Sequence, residues 1–163
     1  MVVAYIGLGA NLGDPPAQIR AALESLRNRP GLRLDACSSL YRSQPMGPQD
    51  QPDYVNAAAR LETESEPLEL LDALQRIERD LGRDRSRERR WGPRLLDLDL
   101  LLYADRTLDH PRLSIPHPGL TERAFVVLPL LDIAPTLLLP DGRVLADIAA
   151  RMDRDGLPGK IAP

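Results

Sequence analysis

The chain has 163 residues, 21 basic and 24 acidic side chains, 43% hydrophobic residues and one cysteine; that suits one domain spanning residues 1–163, with a core that needs neither disulfides nor a structural metal. Cys37 has no partner for an internal bridge, and without a CxxC motif or a Cys/His pairing it argues against a zinc site and for a reducing compartment, the cytoplasm. Met1–Gly13 lacks a basic leader and a cleavage site, and the apolar stretch from Phe125 to Leu139 is broken by Pro129, Asp132 and Pro135, so neither export nor a membrane span is expected.

In chain order, the Val- and Ile-rich run Val2–Leu8 reads as a buried strand stopping at Gly9, Asn11 and Gly13. The spacing Gly7, Gly9, Gly13 departs from a dinucleotide fingerprint and reads as a structural turn. Asp14 as N-cap, Pro15 in the first turn, and Ile19, Ala22, Leu23 and Leu26 at helical spacing predict a helix over 15–29. Alternation from Leu32 to Leu40 predicts a second strand, in which Cys37 is core rather than nucleophile. Residues 43–52 hold three prolines and a glycine and read as a loop. In Asp53–Leu61, Val55, Ala57, Ala59 and Leu61 face one way and Tyr54, Asn56, Ala58 and Arg60 the other, a third strand. Pro67 opens a second helix with the stripe Leu70, Leu71, Leu74, Ile77, Leu81, closed by Gly82. A charged loop, 83–93, leads into a fourth strand, Leu95–Tyr103.

The order strand, helix, strand, strand, helix, strand predicts an α+β, ferredoxin-like βαββαβ core with a mainly antiparallel sheet. Further short helices, one capped by Thr121 and running to Leu128 and one over Val144–Arg151, would cover the second sheet face in an αβα sandwich.

Charge is unevenly placed. Lys160 is the only lysine, and between Arg76 and Arg94 eight arginines face four acids, a local +4 against −7 for the rest of the chain. A concentrated positive stretch in an acidic chain argues against a general nucleic-acid surface and for a small anionic ligand held at one place, the bland alternative being a solvated helix with salt bridges.

Within Leu95–Leu101, strand geometry projects Asp97 and Asp99 to one face, whereas a helix would set them about 200° apart. Two adjacent carboxylates in an apolar strand repel unless a cation lies between them, and hard oxygens at this spacing suit Mg²⁺ completed by water and phosphate; solvated aspartates on an edge strand are the alternative. Arg83, Arg85, Arg87, Arg89, Arg90 and Arg94 precede the pair, and Arg112, His117 and Arg123 follow it. Guanidinium forks on both sides of a carboxylate pair describe a polyphosphate site. No Walker A motif is possible, because the only lysine lies three residues from the end. His110 and His117 are too far apart to resemble a metal pair, though His117 could donate to a phosphate. Trp91, Phe125 and Tyr54 could stack on a heterocycle, and Asn56 could pair with a pterin-like or purine-like edge.

Arg90-Trp91-Gly92-Pro93-Arg94-Leu95-Leu96-Asp97-Leu98-Asp99-Leu100-Leu101 resembles the signature of the 6-hydroxymethyl-7,8-dihydropterin pyrophosphokinases of folate biosynthesis. Ala4-Tyr5-Ile6 with Gly9, Asn11 and Leu12, Gly47–Tyr54 with Asn56, Gln75–Glu78, and Ile115-Pro116-His117 with Arg123 and Phe125 fall in the same order, so the resemblance covers nearly the whole chain. It implies a ferredoxin-like αβα sandwich and a diphosphotransferase that uses ATP and two Mg²⁺ ions. Asp97 and Asp99 would hold both metals, with Arg83 and Arg94 as further catalytic groups. Gln75, Glu78, Arg85, Leu100, Arg112, Ser114, His117 and Arg123 would bind ATP. Ser43, Gln44, Met46, Tyr54, Asn56, Trp91 and Phe125 would hold the pterin, stacked between Trp91 and Phe125. The expected partners are these small molecules alone, in a cytoplasmic monomer that binds neither nucleic acid nor membrane. Two other classes remain open: a metal-dependent phosphohydrolase on the same aspartates, and a non-catalytic ferredoxin-like module for RNA or a regulatory nucleotide. The loops at 43–52 and 83–93 would close over the substrates to exclude water.

Overall fold

The computed structural model describes residues 1–45, 50–83, 95–153 and 159–161. Its strands are β1 (Val2–Ala10), β2 (Leu32–Cys37), β3 (Leu40–Ser43), β4 (Tyr54–Thr63), β5 (Asp97–Tyr103), β6 (Leu108–His110), β7 (Leu113–Ile115) and β8 (Gly159–Ile161); its helices are α1 (Pro15–Arg27), α2 (Pro67–Asp80), α3 (Ala124–Ile133) and α4 (Leu145–Ala150). The main sheet runs β5-β1-β4-β3-β8, with β2 also on β4, and every ladder in it is antiparallel. This is the ferredoxin-like order the sequence predicts. A separate β6-β7 hairpin follows β5.

Each sheet face carries its own apolar layer. Ala4, Ile6 and Leu8 of β1, Val55, Ala57, Ala59 and Leu61 of β4, and Leu98 and Leu100 of β5 pack with Ile19, Ala22, Leu23 and Leu26 of α1 and with Leu70, Leu71, Leu74 and Ile77 of α2. Tyr5, Tyr41, Ala58, Leu101 and Leu102 pack on the opposite face with α3 and α4. Asp14 caps α1 as expected, accepting from the Ala17 amide at 3.2 Å. α2 begins in a capping box between Glu66 and Glu69, and Gly82, at φ +102°, turns the chain away after it.

Three expectations need correction, and β5 adds an irregularity of its own. β1 continues through Gly9 to Ala10, so Gly7 and Gly9 lie inside a strand, and only Gly13, at φ +65°, serves the turn. The strand expected over Leu32–Leu40 is broken at Ser38. The Ser38 hydroxyl accepts from the Ala58 amide at 2.9 Å and donates to the Ser39 carbonyl at 2.7 Å, so a side chain stands in for the ladder there and the chain resumes pairing as β3. Thr121 does not cap α3. The chain turns through residues 117–122, the Arg123 carbonyl accepts from Val126 and Val127, and the helix runs through Pro129 to Ile133. In β5, Ile6 pairs with Leu100 and Tyr5 with Leu102, leaving Leu101 as an extra residue, a bulge that breaks strict alternation. The hairpin and β8 are too short to show as periodic segments. Lys160 of β8 lies 5.6 Å from the Tyr41 ring centre and 3.5 Å from Asp132, to which the Tyr41 hydroxyl also donates at 2.9 Å.

Candidate active site

Following the odd-numbered face of β1, the side chains run Val3, Tyr5, Gly7, Gly9. After Tyr5 they vanish, and the bare backbone becomes a cavity floor. Register then fixes the neighbours: Gly9 pairs with Asp97 on one side and Asn56 on the other, and Gly7 with Asp99 and Ala58. Asp97 and Asn56 are therefore two strand spacings apart, about 10 Å. Ser43, Gln44 and Tyr54 wall the Asn56 end of this cavity, and Arg123, Phe125 and Val126 of the α3 start close its side, with Leu101 beside the aspartates. Asn56 is buried, and its Nδ2 donates to the Ser43 Oγ at 2.8 Å. Beyond it, Asn11 donates to Gln51 at 2.9 Å and to the Pro52 carbonyl at 2.9 Å, tying the end of β1 to the segment entering β4.

At the carboxylate end, Arg83 Nη1 donates to Asp97 Oδ1 at 2.9 Å and to Glu78 Oε2 at 2.7 Å. The same Glu78 oxygen accepts from the Leu98 amide at 2.7 Å. Glu78 is only 1% exposed, on the core-facing stripe of α2. Asp99 keeps 40% of its side-chain surface open to the cavity. Its carboxyl is pushed well above the usual range by desolvation first, then by the negative charges of Asp97 and Glu78, and Arg83 and Arg123 offset only part of this.

His117 Nε2 lies 4.0 Å from Asp99 Oδ2. Its Nδ1 accepts from the Gly119 amide at 3.1 Å, which leaves the neutral ring's proton on Nε2, facing the aspartate. Desolvation and then the charge of Arg123 lower its pKa. The His117 amide is anchored on the Leu101 carbonyl at 2.9 Å, so the β5 bulge carries the following loop.

Two carboxylates with hard oxygens, adjacent on one face, fit a divalent cation. Among the described residues no cluster of three His, Cys, Asp or Glu forms a closed cage.

Of the residues named from the sequence, Ser43, Gln44, Tyr54, Asn56, Asp97, Asp99, Arg123 and Phe125 line this one cavity; Arg83 and His117 reach its carboxylates. Glu78 and Leu100 are buried away from it, Leu100 among the core residues over α1 and α2. Gln75 is half-buried on α2, Ser114 sits opposite Asp109 in the β6-β7 hairpin, and exposed Arg112, at that hairpin's turn, pairs with Asp72 of α2. Met46, Arg85, Arg87, Trp91 and Arg94 lie outside the described residues. Gly7 and Gly9 were missed as floor residues. The signal was present, since the third and fourth members of one strand face lack side chains.

Residues 5–135 match the family HPPK, 7,8-dihydro-6-hydroxymethylpterin-pyrophosphokinase. The chain is 52% identical over 158 residues to a 2-amino-4-hydroxy-6-hydroxymethyldihydropteridine pyrophosphokinase of Pseudomonas aeruginosa, covering 95% of this chain and 96% of that one. A Haemophilus influenzae protein of the same name is 50% identical over 148 residues, 91% of each chain. Among solved structures, Plasmodium falciparum HPPK-DHPS with SDX-DHP superposes with a TM-score of 0.69 at 15% identity, covering 93% of this chain but only 43% of that longer one, a likeness of fold. Neither the phosphohydrolase nor the RNA-binding alternative finds support in these matches. By the extent of the family match and by identity over nearly its full length, the chain belongs to the 7,8-dihydro-6-hydroxymethylpterin-pyrophosphokinase family.

Proposed function

We propose that this chain transfers the β,γ-pyrophosphoryl group of ATP to the hydroxymethyl oxygen of 6-hydroxymethyl-7,8-dihydropterin, releasing AMP, as a cytoplasmic monomer in folate biosynthesis. The observation that carries the reading is the row Asp97, Gly9, Asn56 across three strands: a carboxylate end suited to metal and phosphate, a bare floor, and an amide end suited to a planar heterocycle.

The pterin lies over Gly9, with Asn56 giving and taking hydrogen bonds at its ring edge and the Phe125 ring against one face. Ser43 fixes the Asn56 amide, whose Nδ2 is already donating to it. Tyr54 and Gln44 close that end, and pterin contacts are also assigned to Met46 and Trp91, which lie outside the described residues. At the other end Asp97 and Asp99 would hold two Mg²⁺ ions, whose charge would offset that of the polyphosphate. Arg83 and Arg123 bring guanidinium groups to the carboxylate end, and nucleotide contacts are further assigned to Gln75, Arg112 and Ser114 and to Arg85 and Arg94, the last two outside the described residues. His117, held as the Nε2–H tautomer, donates to a phosphate oxygen.

The primary hydroxyl attacks the β-phosphorus, the bond from that phosphorus to the oxygen bridging to the α-phosphate breaks, and AMP leaves with the electron pair. The hydroxyl proton passes to a phosphate oxygen. Charge gathers on phosphoryl oxygens, where fixed guanidinium groups are worth most in a site that excludes water. Glu78 and Leu100 act from the core: the Glu78 carboxylate orients Arg83 and holds β5 at the Leu98 amide, and Leu100, on the opposite face of β5 from the aspartates, anchors that strand in the core.

Incubation with ATP, Mg²⁺ and the reduced hydroxymethylpterin tests the reading. AMP and pterin pyrophosphate should form one for one. Accumulation of ADP, or release of phosphate without pterin, overturns it in favour of a kinase or a hydrolase.

A further inference from the structure

Gly119 is buried between His117 and Arg123, and its φ lies outside the left-handed region, so its backbone conformation does not demand glycine. A Cβ built on it would stand 2.5 Å from both Cζ and Nε of Arg123 and 2.9 Å from Nη1, closer than real side-chain carbons come. The flat guanidinium of Arg123 thus lies directly on the Gly119 backbone. Arg123 also starts α3, its carbonyl accepting from Val126 and Val127, so the direction of its stem is set by main-chain bonds that no Gly119 side chain would disturb. Likewise the Gly119 amide donates to His117 through the backbone. The missing side chain has one evident use, to seat the guanidinium.

We propose that Gly119 is a positioning residue for the transfer reaction: its bare backbone is the platform that holds the Arg123 guanidinium over the Asp99 end of the cavity, where it meets the polyphosphate. This rests on the reading above that Arg123 contacts ATP. With a methyl group at position 119 the guanidinium must leave the platform. It is the far end of a flexible side chain, so it can swing away at small cost to the fold while losing its place in the site.

The test compares Gly119→Ala, Arg123→Ala, Arg123→Lys and the pairs Gly119→Ala/Arg123→Ala and Gly119→Ala/Arg123→Lys. Readouts are steady-state AMP formation, direct binding of a non-hydrolysable ATP analogue with and without Mg²⁺, and thermal unfolding. Gly119→Ala is expected to lose at least about tenfold in kcat/KM and to weaken analogue binding, with little change in melting temperature. It should add no further loss in the Arg123→Ala background, because the group it displaces is already gone. In the Arg123→Lys background, where no planar head meets the Cβ, its effect should fall to about twofold or less. If Gly119→Ala alone fails to fold but its pair with Arg123→Ala folds, the steric conflict with the guanidinium is demonstrated directly and supports the platform. If the wild type makes AMP and Gly119→Ala matches it in rate and analogue binding, or if the losses from Gly119→Ala and Arg123→Ala simply multiply, the platform is wrong while the activity stands. If the wild type binds the analogue but makes no AMP, the activity fails, and the platform is judged on the binding data alone.

Discussion

Glu78 of α2 accepts a 2.7 Å hydrogen bond from the backbone amide of Leu98, the residue between the two aspartates of β5. Because Arg83 donates to the same oxygen and also to Asp97, one buried carboxylate sets both the height of the strand and the position of a cation beside it. Glu78→Ala leaves the Arg83 guanidinium, only 4% exposed, with less compensating charge and the Leu98 amide with no acceptor from α2. It should cost about 3 kcal/mol of stability. Glu78→Gln, which keeps an oxygen for the amide, should cost about half that. Urea unfolding at neutral pH separates the two, and equal stability of all three proteins would show that the buried bond contributes nothing.

Asp99→Asn separates stability from function. Its ionised form is disfavoured in the metal-free fold by burial and by Asp97 and Glu78, so removing the charge should leave the apo protein at least as stable at pH 7. Turnover should drop by orders of magnitude, and Asp97→Asn should lose activity likewise. Retention of more than about a tenth of wild-type kcat, a change of only ~1.4 kcal/mol, would rule out the metal role for the residue tested.

Gly9→Ala places a methyl group 3.0 Å from Asn56 Oδ1. Since Asn56 is fixed on its other side by Ser43, it has little room to retreat. The KM for the pterin should rise about tenfold, while the KM for ATP stays near its starting value. A parallel rise in both would mean that the cavity floor serves the whole site rather than its heterocycle end.

Asp72 and Arg112 form an exposed pair, each side chain about half accessible. Asp72→Asn releases the guanidinium and removes a negative charge beside Arg112, which is proposed to contact the nucleotide. An exposed pair is worth up to about 1 kcal/mol, so the KM for ATP should fall about two- to fivefold at low ionic strength, with kcat unchanged and the gain fading above about 0.5 M salt. An unchanged KM at low salt would place Arg112 outside the nucleotide's reach.

The alternation of β4 and the stripe of α1 could be read directly, because each sorts its side chains between a core and an outer face as period 2 or 3.6 demands. So could the convergence of Asp97, Asp99, Asn56, Tyr54 and Phe125, whose chemistry and family resemblance point to one site. Glu78 was expected at the nucleotide and is buried on α2 instead: its position on an apolar stripe becomes intelligible only when the Leu98 amide is found opposite. The break at Ser38 rests on a hydroxyl replacing a ladder bond, and serine in a strand carries no local mark of that choice. The bulge at Leu101 hides in a run of leucines, where every residue suits either face. The start of α3 was misplaced because Thr121 has the residue type of a cap, while the main-chain turn through 117–122 delays the helix to Ala124.

That bulge has a dynamic corollary. The carbonyl displaced at Leu101 holds the His117 amide at 2.9 Å, so a residue outside any regular element is fastened to the strand that carries the aspartates. Its amide hydrogen should exchange with solvent at a rate set by the opening of β5 rather than by the fraying of a loop. Deleting Leu101 would restore an unbroken ladder between Ala4 and Gly9 and free that amide at once, making the sheet more regular and the imidazole less constrained. In this strand, irregularity is what fastens the histidine's backbone to the strand of the carboxylates.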